Sequence, residues 1–268
     1  MVSSAQAREK YDQLVDRYEE IFFYVGDTGR RLIEFAAPPP GSRVLDVGAG
    51  RGAVTRAALA LGCSVTAIDA SPKMIERLVE DHPEVTGVAM DAAHLDFTAG
   101  SFDLATAGFV VQILDEPAVV LAEVHRVLAP GGTVALSLET QSVGRLGWFQ
   151  ELTLEFFAPA TSEPVSPPPA DTEASPGPMT HDRLDALLAE TGFLDIERAP
   201  VEMPVPIADP PALWDWLMPR GLAEIQETLP ADRRAEFRTR FLQGAQTMHD
   251  DGGITLDFAA TLHRARRP

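Results

Sequence analysis

Three glycines at alternate positions, Gly48, Gly50 and Gly52, follow the apolar run Val44-Leu45-Asp46-Val47, which carries one carboxylate near its end. Glycines at such a bend let the backbone turn tightly and approach a ligand with no Cβ in the way. Two further acids end apolar runs downstream, Asp69 after Val65 to Ile68 and Asp91 after Val85 to Met90. A carboxylate placed as Asp46 is, two residues before the first glycine, repels phosphate and suits a ligand that brings an ammonium group to that point. Asp69 stands nineteen residues beyond Gly50, where a ribose-binding acid is expected.

The flanking residues define the elements that must present these groups. β-branched and aliphatic residues at 44, 45 and 47 predict a strand, and Ala53 to Leu61 is helical by composition, so the unit is strand, glycine loop, helix. Further strands are predicted over Ser64–Asp69, Val85–Met90, Phe102–Ala107 and Thr133–Leu138. Helices are predicted from Ser71-Pro72 to about Glu80 and over Glu116–Leu128, the latter stopped by Ala129-Pro130-Gly131-Gly132. This alternation predicts a parallel sheet with helices on both faces. Ahead of it, Ala5–Phe23 and Thr28–Ala37 read as two helices, with Tyr11, Leu14, Tyr18 and Phe22 at helical spacing; they are expected to pack on the core or to form a lid over the glycine loop. Beyond Glu139 the pattern predicts a helix over Val143–Phe157, a loop rich in Pro, Ser and Thr over Ala158–Pro178, and a helix over His181–Thr191. A strand over Phe193–Met203 ended by Pro204, helices over Pro210–Leu229 and Ala231–Met248, and a last strand over Ile254–His263 complete the chain.

Two ligand classes compete for the loop. Gly48-x-Gly50-x-x-Ala53 with Asp69 fits a dinucleotide fingerprint, but Asp46 disfavours a pyrophosphate. S-adenosylmethionine has an adenosine, a sulfonium and an amino-acid end and no phosphate, which matches the charge pattern. From about Gly41 to Leu138 the chain resembles the class I S-adenosylmethionine-dependent methyltransferases. Val44 to Gly52 is similar to their first motif and Ile68-Asp69-Ala70-Ser71-Pro72-Lys73-Met74 to the second. Met90-Asp91-Ala92 is similar to the third, Phe102-Asp103 opens the fourth, and Arg126 to Gly132 resembles the segment before the fifth strand.

The resemblance implies a Rossmann-like three-layer α/β sandwich, with a seven-stranded, mostly parallel sheet whose antiparallel last strand is Ile254–His263, plus a helical lid. It divides the chain into an N-terminal lid (1–37) and a core (38–140, 180–204 and 252–268). Residues 141–179 and 205–251 are lid and substrate-binding insertions, with 158–178 a flexible loop. It assigns the methionine amino group to Asp46 and the methionine portion to the backbone of Gly48, Ala49 and Gly50. Both ribose hydroxyls fall to Asp69, the faces of the adenine to Ala70 and Met74, the adenine edge to Asp91 and the Ala92 N–H, and the border of the methionine end to Ala107 and Phe109.

Methyl transfer from a sulfonium is an in-line displacement on an activated carbon, so positioning and exclusion of water are the protein's main tasks. A general base is needed only if the acceptor must lose a proton, and no motif fixes one. His249, Tyr18 and Tyr11 are catalytic candidates by residue type. Trp148, Phe149, Phe157, Trp214 and Trp216 suggest a small apolar or aromatic acceptor, with methylation on oxygen favoured and carbon or nitrogen as alternatives. A non-methylating reaction such as a cyclisation competes with this reading; a nicotinamide-dependent oxidoreductase falls on Asp46 and the later motifs.

Composition narrows the partners. With 22 basic and 40 acidic residues the net charge is −18, which disfavours nucleic acid, and the one basic cluster, His263 to Arg267, reads as a solvated terminus. Cys63, the single cysteine, reads as a small buried hydrophobe, and no metal site is expected. No run is apolar enough for a membrane span and the N-terminus lacks a signal-peptide core, so a cytoplasmic enzyme, monomeric or homodimeric, is expected. Usage rich in Arg, Ala and Pro fits a high-GC bacterium, where such enzymes tailor secondary metabolites.

Overall fold

The computed structural model describes residues 8, 11–140, 144–157 and 179–268. The Pro-rich stretch 158–178 lies outside them, as does most of the chain before Tyr11. Seven strands, β1 (Arg43–Val47), β2 (Ser64–Asp69), β3 (Thr86–Ala89), β4 (Phe102–Gly108), β5 (Leu128–Thr140), β6 (Leu194–Ile207) and β7 (Ile254–Arg266), form one sheet in the order β3-β2-β1-β4-β5-β7-β6. The β1–β2, β1–β4, β2–β3 and β4–β5 pairs are parallel. The last strands are antiparallel, and the Gly131 N–H to Arg267 C=O and Arg267 N–H to Gly132 C=O bonds join β5 to the residue that follows β7. Central position explains the apolar runs, since β1 is buried from Val44 through Val47.

Two compact units divide the chain. The first holds Met1–Thr140, Pro178–Val201 and Ala260–Pro268; the second holds Gln141–Gly177 and Glu202–Ala259. In the first, helices α1 (Tyr18–Ile21), α2 (Val25–Ala36), α3 (Ala53–Ala60), α4 (Pro72–Asp81), α5 (Pro117–Val127) and α7 (His181–Glu190) accompany the strands. Local signals set their ends: Ser71 accepts from the Met74 N–H with Pro72 in the first turn of α4, and Thr180 accepts from the Arg183 N–H at the start of α7. The core is built on Leu45, Ile68, Leu121, Leu136, Leu188 and Phe193, and Cys63 is buried as a small hydrophobe.

In the second unit, α6 (Gly147–Phe157), α8 (Pro210–Leu217), α9 (Leu222–Glu227) and α10 (Ala231–Asp250) enclose an aromatic core around Phe237 and Phe241. Trp214 stacks edge-on to Phe241 at 5.0 Å, and Trp148 lies 5.4 Å from the same ring. The aromatic residues read as candidates for an acceptor pocket are therefore members of this core or are packed against it.

Several boundaries differ from expectation. Residues 11–14 are helical but a turn at 15–17 separates them from α1, so no continuous helix reaches Phe23. The Ala129–Gly132 stretch, expected to be a connection, lies within β5 as an irregularity: Phe102 pairs with Leu128 and Leu104 with Thr133. Pro204 does not end β6, which runs on through Pro206; β6 is last in the sheet order, and an edge strand tolerates a missing N–H. The helix expected over Pro210–Leu229 breaks at Gly221, whose φ of 106° is left-handed.

The basic tail is not a solvated terminus. β7 extends to Arg266, with His263 and Ala265 buried at 0% and 1% exposure. The charge pattern across the strands drives this: Arg264 pairs with Glu197 at 2.6 Å and Arg266 with Asp195 at 2.9 Å, while the Arg267 guanidinium donates to the Arg126 and Leu128 carbonyls.

Gly29 sets the approach of α2 to α3. A Cβ at this position would stand 2.8 Å from the Ala53 carbonyl carbon and oxygen and 3.0 Å from the Val54 nitrogen, all backbone atoms. Gly29→Ala is expected to destabilise the protein by about 1–3 kcal/mol through overpacking, measured by chemical denaturation. An unchanged midpoint would show that the two helices separate at little cost.

Candidate active site

The chain runs outward from β1 to β3 and then returns to β4 on the other side of β1, so β1 and β4 flank the point where the strand order reverses. Helices leave to opposite faces there and open a crevice at the carboxyl ends of the strands. Asp46 is the penultimate residue of β1, Asp69 the last of β2, and Asp91 follows β3.

Parallel register puts Thr106 of β4 beside Asp46 of β1, and paired residues project to the same face. The Thr106 hydroxyl donates to Asp46 Oδ1 at 3.0 Å. Thr55, in the first turn of α3, donates its hydroxyl to Oδ2 at 2.6 Å. Asp46 is 1% exposed, and burial pushes its carboxyl up to about 6 against the downward pull of the two hydroxyls. Gly48, Gly50 and Gly52 all have left-handed φ, of 64°, 52° and 82°, and carry the chain from β1 into α3.

That loop is tied to Asp69. Asp69 Oδ2 accepts from the Gly50 N–H at 2.9 Å and Oδ1 from the Ser71 N–H at 2.8 Å, leaving lone pairs on both oxygens. Burial raises the Asp69 carboxyl above its ordinary value, in opposition to those N–H groups. Asp91 is exposed and accepts from the Ala93 N–H at 2.9 Å, and the neighbouring Ala92 is half-buried. Ala70 is exposed, whereas Met74 is buried in the core at 1% exposure and presents almost no surface.

A small cavity is lined by Asp46, Gly48, Ala49, Arg51, Phe109 and Ser137, with Tyr18 and Glu19 of α1 on its other side. Phe109 adopts a left-handed φ of 58° and is held by its N–H, which donates to the Ser137 hydroxyl at 3.0 Å. Ala107, two residues earlier, is buried in β4. Edge-on ring contacts lead from Tyr11 to Tyr18 at 6.1 Å and from Tyr24 to Phe109 at 5.8 Å. Burial holds both the Tyr11 and Tyr18 phenols above their ordinary value, and Asp69 adds to this. Near neutral pH these phenols keep their protons, so they can donate hydrogen bonds but are poor bases.

His249 belongs to the second unit, at the end of α10, partly exposed beside Asp250 at 3.5 Å. A pair of imidazoles, His263 buried and His181 half-buried, lies in the first unit. His263 Nδ1 is 2.8 Å from Asp185 Oδ1, His263 Nε2 is 3.2 Å from His181 Nδ1, and His181 Nε2 is 3.2 Å from the Thr140 hydroxyl. One tautomer of each ring satisfies all three links, with Thr140 donating to His181, His181 to His263, and His263 to Asp185. Burial lowers both imidazoles below their ordinary value. Thr55, Thr106 and Ser137 were missed: only strand register and the course of α3 place them, and neither leaves a trace in local spacing.

A glycine loop between a buried carboxylate and a second, half-buried one, at the reversal point of a seven-stranded sheet, defines a class I S-adenosylmethionine-dependent methyltransferase, and the chain belongs to that family. Residues 45–136 match the methyltransferase domain. An aklanonic acid methyltransferase from Streptomyces sp. (strain C5) is 34% identical over 161 residues, covering 56% of this chain and 71% of that protein. A nocamycin O-methyltransferase from Saccharothrix syringae is 29% identical over 241 residues, covering 84% of each. In fold the chain is similar to the [4+2]-cyclase SpnF, with a TM-score of 0.60 at 18% identity over 99% of this chain and 96% of that one.

The imidazole pair makes stability pH-dependent. Its rings are depressed in the folded state, so the stability they contribute is fully present above about pH 6.5 and is lost as pH falls through that value. Between about pH 7.5 and pH 5, His263→Gln is expected to show a shallower fall in melting temperature than the wild type, read by thermal denaturation. Parallel curves would show that the pair does not titrate with folding.

Proposed function

We propose that the enzyme transfers a methyl group from S-adenosylmethionine to an oxygen of a small, apolar or aromatic metabolite. The observation that carries the cofactor is the set of acids at the ends of three successive strands, Asp46, Asp69 and Asp91, around a glycine loop. Arg51, the cation lining the cavity, is already engaged by the Val15 carbonyl at 2.8 Å and Asp81 at 2.7 Å, so the cleft suits an ammonium and hydroxyl donors better than phosphate.

When bound, S-adenosylmethionine supplies a methyl carbon already activated by its sulfonium. The residues present would hold it in sequence order. Asp46 would face the amino group, with the backbone of Gly48, Ala49 and Gly50 beneath the methionine portion. Asp69 would accept both ribose hydroxyls on the lone pairs that Gly50 and Ser71 leave free. Asp91 would accept from the adenine amine and Ala92 would offer its N–H, with Ala70 on a face of the ring. Met74 would support this wall from the core, while Ala107 and Phe109 would border the methionine end. Tyr11 and Tyr18 would serve as proton-bearing phenols over the cleft. Rate would come from holding the acceptor in line and excluding water.

The acceptor class is supported by the two relatives, whose names give aklanonic acid and nocamycin, and the second of which is an O-methyltransferase. The likeness to a cyclase is one of fold alone, so methyl transfer is the preferred reading over cyclisation.

Calorimetric titration with S-adenosylmethionine, S-adenosylhomocysteine and NAD tests this directly. Binding of the first two and none of NAD is expected, and Asp69→Ala should weaken S-adenosylhomocysteine by about tenfold or more, the scale of two charge-assisted hydrogen bonds. NAD binding without response to the sulfur ligands would overturn the proposal.

A further inference from the structure

Asp46 is an unusual carboxylate for a protein interior. It is 1% exposed, and among the described residues no ion pair includes it. The charged groups that share its surroundings are engaged elsewhere or repel it. Arg51 pairs with Asp81 at 2.7 Å, Glu19 pairs with Arg56 at 2.7 Å, and Asp69 on the adjacent strand carries the same sign. An isolated buried carboxylate in such a place normally takes up a proton. Its remaining protein support is the Thr55 hydroxyl at 2.6 Å, the Thr106 hydroxyl at 3.0 Å and the backbone N–H of Thr55.

These hydroxyls come from different elements, one from the first turn of α3 and one from β4, and each addresses a different oxygen. Both threonines are 0% exposed, so neither hydroxyl has bulk water as an alternative partner. Thr106 has one other acceptor within reach, the Leu45 carbonyl at 3.4 Å. A hydroxyl carries a single proton. With Asp46 ionised, both hydroxyls donate to it; with Asp46 protonated, one must accept instead, and Thr106 can turn its proton to Leu45.

We infer that Thr55 and Thr106 are positioning residues that hold Asp46 as a carboxylate of fixed orientation, ready to receive the ammonium group of a zwitterionic amino-acid ligand. The inference rests on the methyltransferase reading of this cleft and adds to it the source of the acid's charge. The ligand supplies the cation that the protein withholds, and the hydroxyls keep the acid ionised until it arrives. Affinity is then coupled to pH through this buried group: binding weakens as pH falls through the range in which Asp46 gains its proton.

The test uses the whole chain, with S-adenosylhomocysteine as the probe because it keeps the amino-acid end and cannot donate a methyl group. In the wild type, the Asp46 carboxyl signal in a carbon-13 aspartate-labelled sample should titrate at a lower pH once the probe is added. Thr55→Val and Thr106→Val keep side-chain size and remove one donor each. Each should raise the titration point of Asp46 by on the order of one unit and weaken the probe about tenfold at pH near 6, with a smaller loss at pH near 8. Thr55→Ser and Thr106→Ser restore the donor and should return both readouts towards the wild type, which a purely packing role of the threonine methyl would not do. An Asp46 titration unmoved by either valine variant overturns the inference, as does an unmoved wild-type titration on adding the probe, a measurement that needs no variant to fold. Failure of the wild type to bind the probe near pH 8 overturns the methyltransferase reading itself, and the inference with it, whatever the threonine variants show.

Discussion

Burying a carboxylate at the end of the central strand is the constraint around which the first unit is arranged. Asp46 has almost no contact with water, and each of its oxygens is met by a hydroxyl from a neighbouring element. To deliver Thr106, β4 must lie beside β1 in parallel register, which demands that the chain double back across the sheet after β3. To deliver Thr55, α3 must begin directly beyond the loop, which demands a turn that only glycine makes at little cost. The sheet order, the glycines and the start of α3 together satisfy one buried carboxylate and open a crevice.

The same economy governs the second acid. Asp69 uses one lone pair on the loop, through Gly50, and one on the start of α4, through Ser71, and has others open. It therefore holds two neighbouring turns in place. Asp91 is different: it is exposed and bonded to the Ala93 N–H of its own turn. The graded burial of the three acids runs from the centre of the sheet towards its edge, as the strand order requires.

Outside the cleft, charge is handled by pairing instead of hydroxyls. Arginines on β7 meet acids on β6, which turns a basic terminal stretch into part of a strand. In the imidazole pair on β7 and α7, Asp185 anchors a chain of hydrogen bonds that ends on Thr140. The second unit relies on aromatic packing, with Phe237 and Phe241 fully buried.

Much of this was legible in the sequence because it is written locally. Alternation of apolar runs and amphipathic segments predicts the five leading strands, and the glycine spacing with Asp46 and Asp69 identifies the loop and its chemistry, since backbone conformation and charge are properties of neighbouring residues. The partners of those acids were not legible. Thr106 lies sixty residues from Asp46, His263 lies 82 residues from His181, and both pairs exist only because strand order and register bring distant segments together. Pro204 misled for the same reason, because a missing N–H ends a central strand but is harmless at an edge, and only the sheet says which strand is the edge. The sequence by itself determined the family, through residue type and short-range spacing. Tertiary structure alone decided which side chains hold these acids and how deeply each is buried, because those depend on contacts between segments that no local pattern encodes.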